Sequence, residues 1–204
     1  MQTSFQSKGE TLPATLYHNV TGGLHSTNCG VVLCPPHPLY GGTRNDTRLV
    51  RIAKNLAEHN IAALCFDYGS YGKGIKEVHH TLDAIAFMRK QVAPVGLLGY
   101  SFGAVVASNA AAYSDIRGFV AMSTLRTVNG LTATFEADCA KLFIHGKRDA
   151  VAPFADFKHL YREAKGKKEK LVLDTDHFYM DNHPMTIDSV SEAIRKFFEN
   201  ELIT

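Results

Sequence analysis

The pentapeptide Gly99-Tyr100-Ser101-Phe102-Gly103 matches the G-x-S-x-G pattern, in which a tight turn between a strand and a helix presents a serine as a nucleophile. Such a turn drives its central residue into a strained backbone conformation and brings strand and helix close together. The flanking positions must then carry almost no side chain, and both are glycine. A serine hydroxyl is a weak nucleophile at neutral pH. It needs a histidine to accept its proton, and an acid to orient that histidine and stabilise its charged form.

Where this turn occurs, acid and histidine follow the serine in that order, each on a loop after a strand. Of the ten histidines, only His159, His177 and His183 follow a plausible acid. His159 sits in a helical pattern, and His183 lies in Asp181-Asn182-His183-Pro184, which reads as a turn before the last helix. His177 comes a few residues after the apolar run Leu171-Val172-Leu173, as the role requires. For the acid, Leu142-Phe143-Ile144 runs into His145-Gly146-Lys147-Arg148-Asp149, which selects Asp149. Asp174 and Asp176 are rivals, but sharing the histidine's own loop makes them awkward partners for its far ring nitrogen. Asp115 and Asp138 read as turn residues.

Acyl transfer to serine also needs two donors aimed at the oxygen of the tetrahedral intermediate. One is the N–H of Phe102, the residue after the nucleophile. The second belongs to another loop, and Cys34-Pro35-Pro36-His37-Pro38-Leu39-Tyr40-Gly41-Gly42 follows the apolar run Val31-Val32-Leu33. Prolines stiffen this segment and its glycine pair permits a sharp turn. Pro38 has no N–H, so the expected donor is Leu39, with Tyr40 next. Tyr40 is also a candidate substrate contact.

Short apolar runs alternate with amphipathic stretches over nearly the whole chain, the pattern of a mainly parallel sheet covered by helices. Seven strands are expected: Thr15 to His18 as an antiparallel edge, then Cys29 to Cys34, Ala62 to Tyr68, Val95 to Tyr100, Gly118 to Met122, Lys141 to His145 and Lys170 to Leu173. Helical spacing runs through Thr47 to His59, where Leu49, Ile52, Ala53 and Leu56 share one face. It recurs from about Val78 to Lys90, Ser101 to Ala112, Phe154 to Ala164 and Ile187 to Glu201. The segment Thr124 to Asp138 is too short for a lid domain, so the site should be open.

No stretch of linker composition divides the 204 residues, and one α/β domain spanning 1–204 is expected. The net charge of +2 gives no electrostatic case for nucleic acid, and the run Lys165 to Lys170 reads as a solvated turn. No apolar stretch reaches the roughly 20 residues that cross a bilayer, and Met1 to Glu10 lacks the order of a secretory signal. A cytoplasmic protein is expected. Cys29, Cys34, Cys65 and Cys139 lack C-x-x-C spacing and read as free thiols, three of them in buried strands. His79-His80, and His18 with His25, lack the carboxylate-histidine spacing of a zinc site. Neither a metal nor a cofactor is expected, and the oligomeric state is not readable.

With His37-Pro38-Leu39-Tyr40-Gly41-Gly42, Gly99-Tyr100-Ser101-Phe102-Gly103, Gly146-Lys147-Arg148-Asp149 and Asp176-His177-Phe178, the chain resembles the α/β-hydrolase superfamily from about Cys29 to the C-terminus. Within it, the chain looks like the small lidless serine hydrolases related to dienelactone hydrolase, whose loop often reads His-Pro-His-Pro-Leu-x-Gly-Gly. Pro36 replaces the first of those histidines, and serine replaces the cysteine nucleophile of dienelactone hydrolase proper. After Ala63-Leu64-Cys65-Phe66, relatives commonly carry Arg-Gly-x-Gly-x-Ser following the acidic residue, whereas here Asp67 leads to Tyr68-Gly69-Ser70-Tyr71-Gly72. The resemblance implies an α/β-hydrolase fold without a large cap and an esterase acting on small or medium acyl groups. A thioesterase or small-amide peptidase uses the same triad, and a non-catalytic binding protein on this fold is the competing class.

Overall fold

The computed structural model describes residues 1–19, 27–180 and 186–203. The chain begins with a hairpin, β1 (Gln2–Ser7) and β2 (Glu10–Tyr17), and continues through β3 (Gly30–Cys34), α1 (Thr47–Glu58), β4 (Ala62–Phe66) and α2 (Ile75–Arg89). Then come β5 (Val95–Tyr100), α3 (Phe102–Ala111), β6 (Gly118–Met122) and a two-stranded ribbon, β7 (Thr127–Val128) and β8 (Leu131–Thr132). β9 (Ala140–Gly146), α4 (Phe154–Glu163), β10 (Lys168–Leu173) and α5 (Thr186–Leu202) complete it. Eight strands form one sheet in the order β1-β2-β4-β3-β5-β6-β9-β10. β1 and β2 are antiparallel and the strands from β4 to β10 run parallel.

Strands β3 to β6 are apolar and buried throughout because helices cover both faces of the sheet. Leu49, Ile52 and Leu56 of α1 and Val190, Ile194 and Phe198 of α5 pack on one face with Val31, Leu98 and Val120. Ile85 and Met88 of α2, Val105 and Val106 of α3 and Phe157 and Leu160 of α4 pack on the other with Val32, Leu97 and Phe119. Asp46 caps α1, accepting from the N–H groups of Arg48 and Leu49 at 3.0 and 3.3 Å.

Two expectations change. The sheet has eight strands rather than seven, because β1 adds an antiparallel strand along Glu10 to Thr15 of β2. In Gln2–Ser7 only Phe5 and Ser7 are buried, so this strand offers no apolar run to read. The basic run also becomes strand at Lys168, where β10 forms an exposed sheet edge on which lysines discourage further pairing. Between β6 and β9 there is only the β7–β8 ribbon, and no cap domain. The parallel strands align Cys34 with Gly99, Tyr100 with Met122 and Gly146 with Leu173, so their following loops converge on one edge of the sheet.

Candidate active site

Ser101 sits between β5 and α3 with φ 57° and ψ −121°, a conformation an L-residue adopts only under constraint. Its N–H is tied to the Met122 carbonyl at 2.9 Å. The two glycines are there for space: a Cβ on Gly99 would lie 2.4 Å from the Gly103 carbonyl oxygen, and one on Gly103 would lie 2.3 Å from the carbonyls of both Cys34 and Pro35. The turn is thereby pressed against the end of β3.

His177 Nε2 lies 3.0 Å from Ser101 Oγ, and His177 Nδ1 lies 2.8 Å from Asp149 Oδ2. Asp149 is fully buried at its side chain, and its Oδ1 accepts from the N–H groups of Val151 and Ala152 at 2.9 and 2.7 Å. Burial pushes its pKa up, but hydrogen bonds from His177, the Ala152 N–H and Ser123 outweigh this and hold the carboxyl below its ordinary value. An ionised Asp149 takes the Nδ1–H of His177. That leaves Nε2 as an acceptor facing the serine.

Further residues fix this arrangement. Tyr100 donates its hydroxyl hydrogen to the His177 carbonyl at 2.9 Å, and its ring lies 5.5 Å from the imidazole. His145, buried and kept neutral by that burial, donates from Nε2 to the Ala152 carbonyl at 3.0 Å and so braces the turn that cradles Asp149. The Arg48 guanidinium, bound to Asp46, lies 4.7 Å from the Tyr100 ring centroid and 5.7 Å from that of Phe178. Sequence reading missed all three. His145 carried a usable signal, standing immediately before the Gly146 that begins the acid turn, whereas the Arg48 and Tyr100 contacts arise only from the fold.

The rival acids are occupied elsewhere: Asp174 pairs with Arg148 at 3.0 Å, and Asp176 accepts from the Phe178 N–H at 2.9 Å. Asp115 and Asp138 are exposed, and His159 lies on α4 beside Arg162. His25, Asp181 and His183 lie outside the described residues.

The loop after β3 makes one 3-10 turn, Pro38–Tyr40, and consumes its own donors. The Leu39 N–H, expected from the sequence to face the anion, is spent on His37 Nδ1 at 3.2 Å, and the Tyr40 N–H on the His37 carbonyl at 3.0 Å. The reason is that the His37 side chain folds back to cap the turn. With Nδ1 accepting, the hydrogen is on Nε2, which donates to Tyr71 Oη at 3.1 Å; Asn129 of the ribbon donates to the same oxygen. The backbone N–H groups of His37 and Phe102 make no hydrogen bond among the described residues. The His37 and Phe102 rings lie 4.6 Å apart, tilted by 54° to one another.

These residues surround a cleft of about 270 Å³ lined by His37, Tyr40, Arg48, Ser101, Val151 and Phe178, among others. A larger hollow of about 450 Å³, involving Arg51, Lys54 and Asp188, holds no nucleophile paired with a base. Among the described residues no group of three His, Cys, Asp or Glu side chains could hold a metal ion, and no helix is long and apolar enough to cross a membrane.

No protein-family model matches the chain. An uncharacterized protein of Rickettsia prowazekii (strain Madrid E) is 27% identical over 164 residues, 71% of this chain and 69% of that protein. Among solved structures, a lidless α/β serine hydrolase from Xanthomonas campestris superposes with a TM-score of 0.83 at 17% identity, covering 100% of this chain and 95% of the other. An α/β serine hydrolase homologue from Coxiella burnetii gives 0.80 at 21% identity, covering 96% of each chain. A dienelactone hydrolase from Anabaena variabilis gives 0.76 at 16% identity, covering 99% and 97%. Shared over essentially its whole length, the architecture of this chain is the α/β-hydrolase fold in a form without a large cap domain.

Proposed function

We propose that the chain is a serine hydrolase that cleaves carboxylic esters of small or medium acyl groups through an acyl-enzyme. The observation that carries this reading is the continuous relay Ser101 Oγ to His177 Nε2 at 3.0 Å and His177 Nδ1 to Asp149 at 2.8 Å. Ser101 Oγ attacks the ester carbon as its proton passes to His177 Nε2. The tetrahedral oxyanion is held by the N–H groups of Phe102 and His37, the latter replacing Leu39. Collapse breaks the carbon–oxygen bond to the alcohol, which leaves with the proton from His177; water, activated by the same histidine, then frees the acid. Asp149 stays ionised and stabilises the imidazolium.

The Xanthomonas and Coxiella neighbours described as serine hydrolases support the reaction class. The unpaired state of all four cysteines supports a reducing, cytoplasmic setting. The test is hydrolysis of p-nitrophenyl acetate and butyrate by the protein and by Ser101→Ala. The variant should lose on the order of 10³-fold or more in kcat. Equal rates would remove Ser101 from the mechanism.

A further inference from the structure

Arg48, the second residue of α1, folds its side chain back onto Asp46, the residue that caps the helix. Its Nε donates to Asp46 Oδ1 at 3.0 Å and its Nη2 to Asp46 Oδ2. The guanidinium carbon lies 4.7 Å from the Tyr100 ring centroid and 5.7 Å from that of Phe178. An ion pair on one edge and two aromatic rings beside it hold the group in one orientation, with the side chain only 16% exposed. Its donors are nevertheless not used up. Both Nη1–H groups and the second Nη2–H make no hydrogen bond among the described residues, and they are not sealed in the core, because Arg48 forms part of the wall of the cleft that holds Ser101. A charged donor that is fixed in place beside a reactive group, and that no protein acceptor satisfies, is suited to reading the substrate.

The reaction decides which part of the substrate meets it. His177 Nε2 must hand its proton to the departing alcohol, so the alcohol oxygen comes within hydrogen-bond distance of that nitrogen. The rings of Tyr100 and Phe178 lie 5.5 and 5.4 Å from the imidazole, and these are the two rings beside the Arg48 guanidinium. The His37 ring, on the oxyanion loop, rests instead on Phe102, Tyr40 and Tyr71. Arg48 therefore belongs to the side of the cleft toward which the alcohol is drawn.

Charge narrows the ligand further. Asp46 already compensates the guanidinium, and Asp176 is a second acidic neighbour. A substrate carboxylate would be the third anion around one cation, whereas an uncharged oxygen accepts from the remaining N–H groups without that repulsion.

We infer that Arg48 is a specificity-determining residue that selects esters whose alcohol carries a second, uncharged oxygen (ether, hydroxyl or carbonyl) within a few bonds of the ester oxygen. This rests on the esterase reading and deepens it. Arg48 donates to that oxygen from Nη1 or Nη2. An alcohol with a methylene in its place displaces water from these donors and leaves them unpaired.

The experiment compares kcat/KM for pairs of acetate esters that differ only in one oxygen for one methylene: 2-methoxyethyl against butyl, and 3-methoxypropyl against pentyl. It uses the protein and the variant Asp46→Ser with Arg48→Met, in which serine keeps a helix cap and both charges are gone. Arg48→Met alone is the second variant, so the reading does not depend on the double one folding. At least one oxygen-bearing ester should be preferred about tenfold by the protein and about twofold or less by either variant, the remainder reflecting the better leaving alcohol. A change in the alignment of His177 would slow both members of a pair alike and leave their ratio unmoved. On the acyl side, ethyl 3-methoxypropanoate against ethyl pentanoate should give the same ratio in all three proteins, and the acetate ester of 3-hydroxypropanoate, a carboxylate, should be no better than butyl acetate. Ratios for the alcohol pairs that are equal in protein and variants overturn the inference, as does an Arg48-dependent preference that appears in the acyl pair or is strongest for the carboxylate. Activity that survives Ser101→Ala would instead sink the esterase reading and the inference with it, so the two failures are told apart.

Discussion

Tyr100 donates its hydroxyl hydrogen to the backbone carbonyl of His177 at 2.9 Å, joining the residue just before Ser101 to the residue proposed as its base. Both groups are buried, and the bond crosses 77 residues of sequence. Histidine and serine are thus positioned by one continuous piece of protein, with the Arg48 guanidinium stacked on the same tyrosine ring.

Tyr100→Phe keeps the ring and removes this bond, leaving the His177 carbonyl buried without a donor. Chemical or thermal denaturation should show a loss of about 1–3 kcal/mol. In steady-state kinetics, kcat should fall about three- to tenfold while KM stays within about twofold, because the base loses alignment and the cleft keeps its lining. A variant with unchanged stability and kcat would mean that the histidine loop needs no such tether.

Tyr71→Phe tests the oxyanion loop. His37 Nε2–H would lose its acceptor, and the ring that caps the Leu39 N–H would be freed to turn. The expected result is a drop in kcat of about tenfold, a fraction of the 10²–10³-fold that full loss of an oxyanion donor costs. Asn129→Ala should lower kcat in the same direction and by less. If neither variant changes kcat, the His37 N–H is not held by this chain of bonds.

Asp149→Asn keeps the shape of the acid turn while removing its charge. The imidazole then adopts the wrong tautomer and its charged form loses stabilisation, so kcat should fall by about 10³- to 10⁴-fold with the fold intact. A fall of less than about tenfold would show that His177 does not depend on an ionised partner.

Stability should decline on mild acidification. Burial lowers the pKa of His145, with Asp149 opposing, and does the same to His80 and His37, all relative to an ordinary 6.5. The unfolded chain takes these protons near that value and the folded one only at lower pH, so within this window the unfolded state binds more protons. Tm should therefore fall from about pH 7.5 toward pH 5, before most carboxylates titrate. Asp149 acts in the same sense lower down: its pKa is held below 3.8, so its contribution is complete above that value and is lost as the pH falls through the folded-state pKa. Differential scanning calorimetry across this range checks the sign, and a Tm that is constant or rises on acidification contradicts it.

That Ser101, His177 and Asp149 come together was legible in the sequence because each lies next to an apolar strand whose burial leaves a readable run of side chains. Helix ends came within a few residues for the same reason. β1 was illegible, since a half-exposed edge strand with alternating polar residues has no such run. Elimination of Pro38 pointed forward to the Leu39 N–H, but that group donates to His37 Nδ1, a contact with no mark in the sequence. Contacts such as Tyr100 to His177 or Arg48 to Phe178 join distant segments and leave no local pattern.

In the proposed mechanism Ser101 becomes acylated. Mixing the protein with excess p-nitrophenyl acetate, quenching in acid within the first turnovers and digesting for mass spectrometry tests it directly. The reading predicts one acetyl group on the peptide containing Ser101, accompanied by a burst of p-nitrophenol equal to the enzyme present, and neither in Ser101→Ala. Turnover with no acetylated Ser101 and no burst, even when a slowly hydrolysed acyl group or a fluorophosphonate is offered, would contradict it.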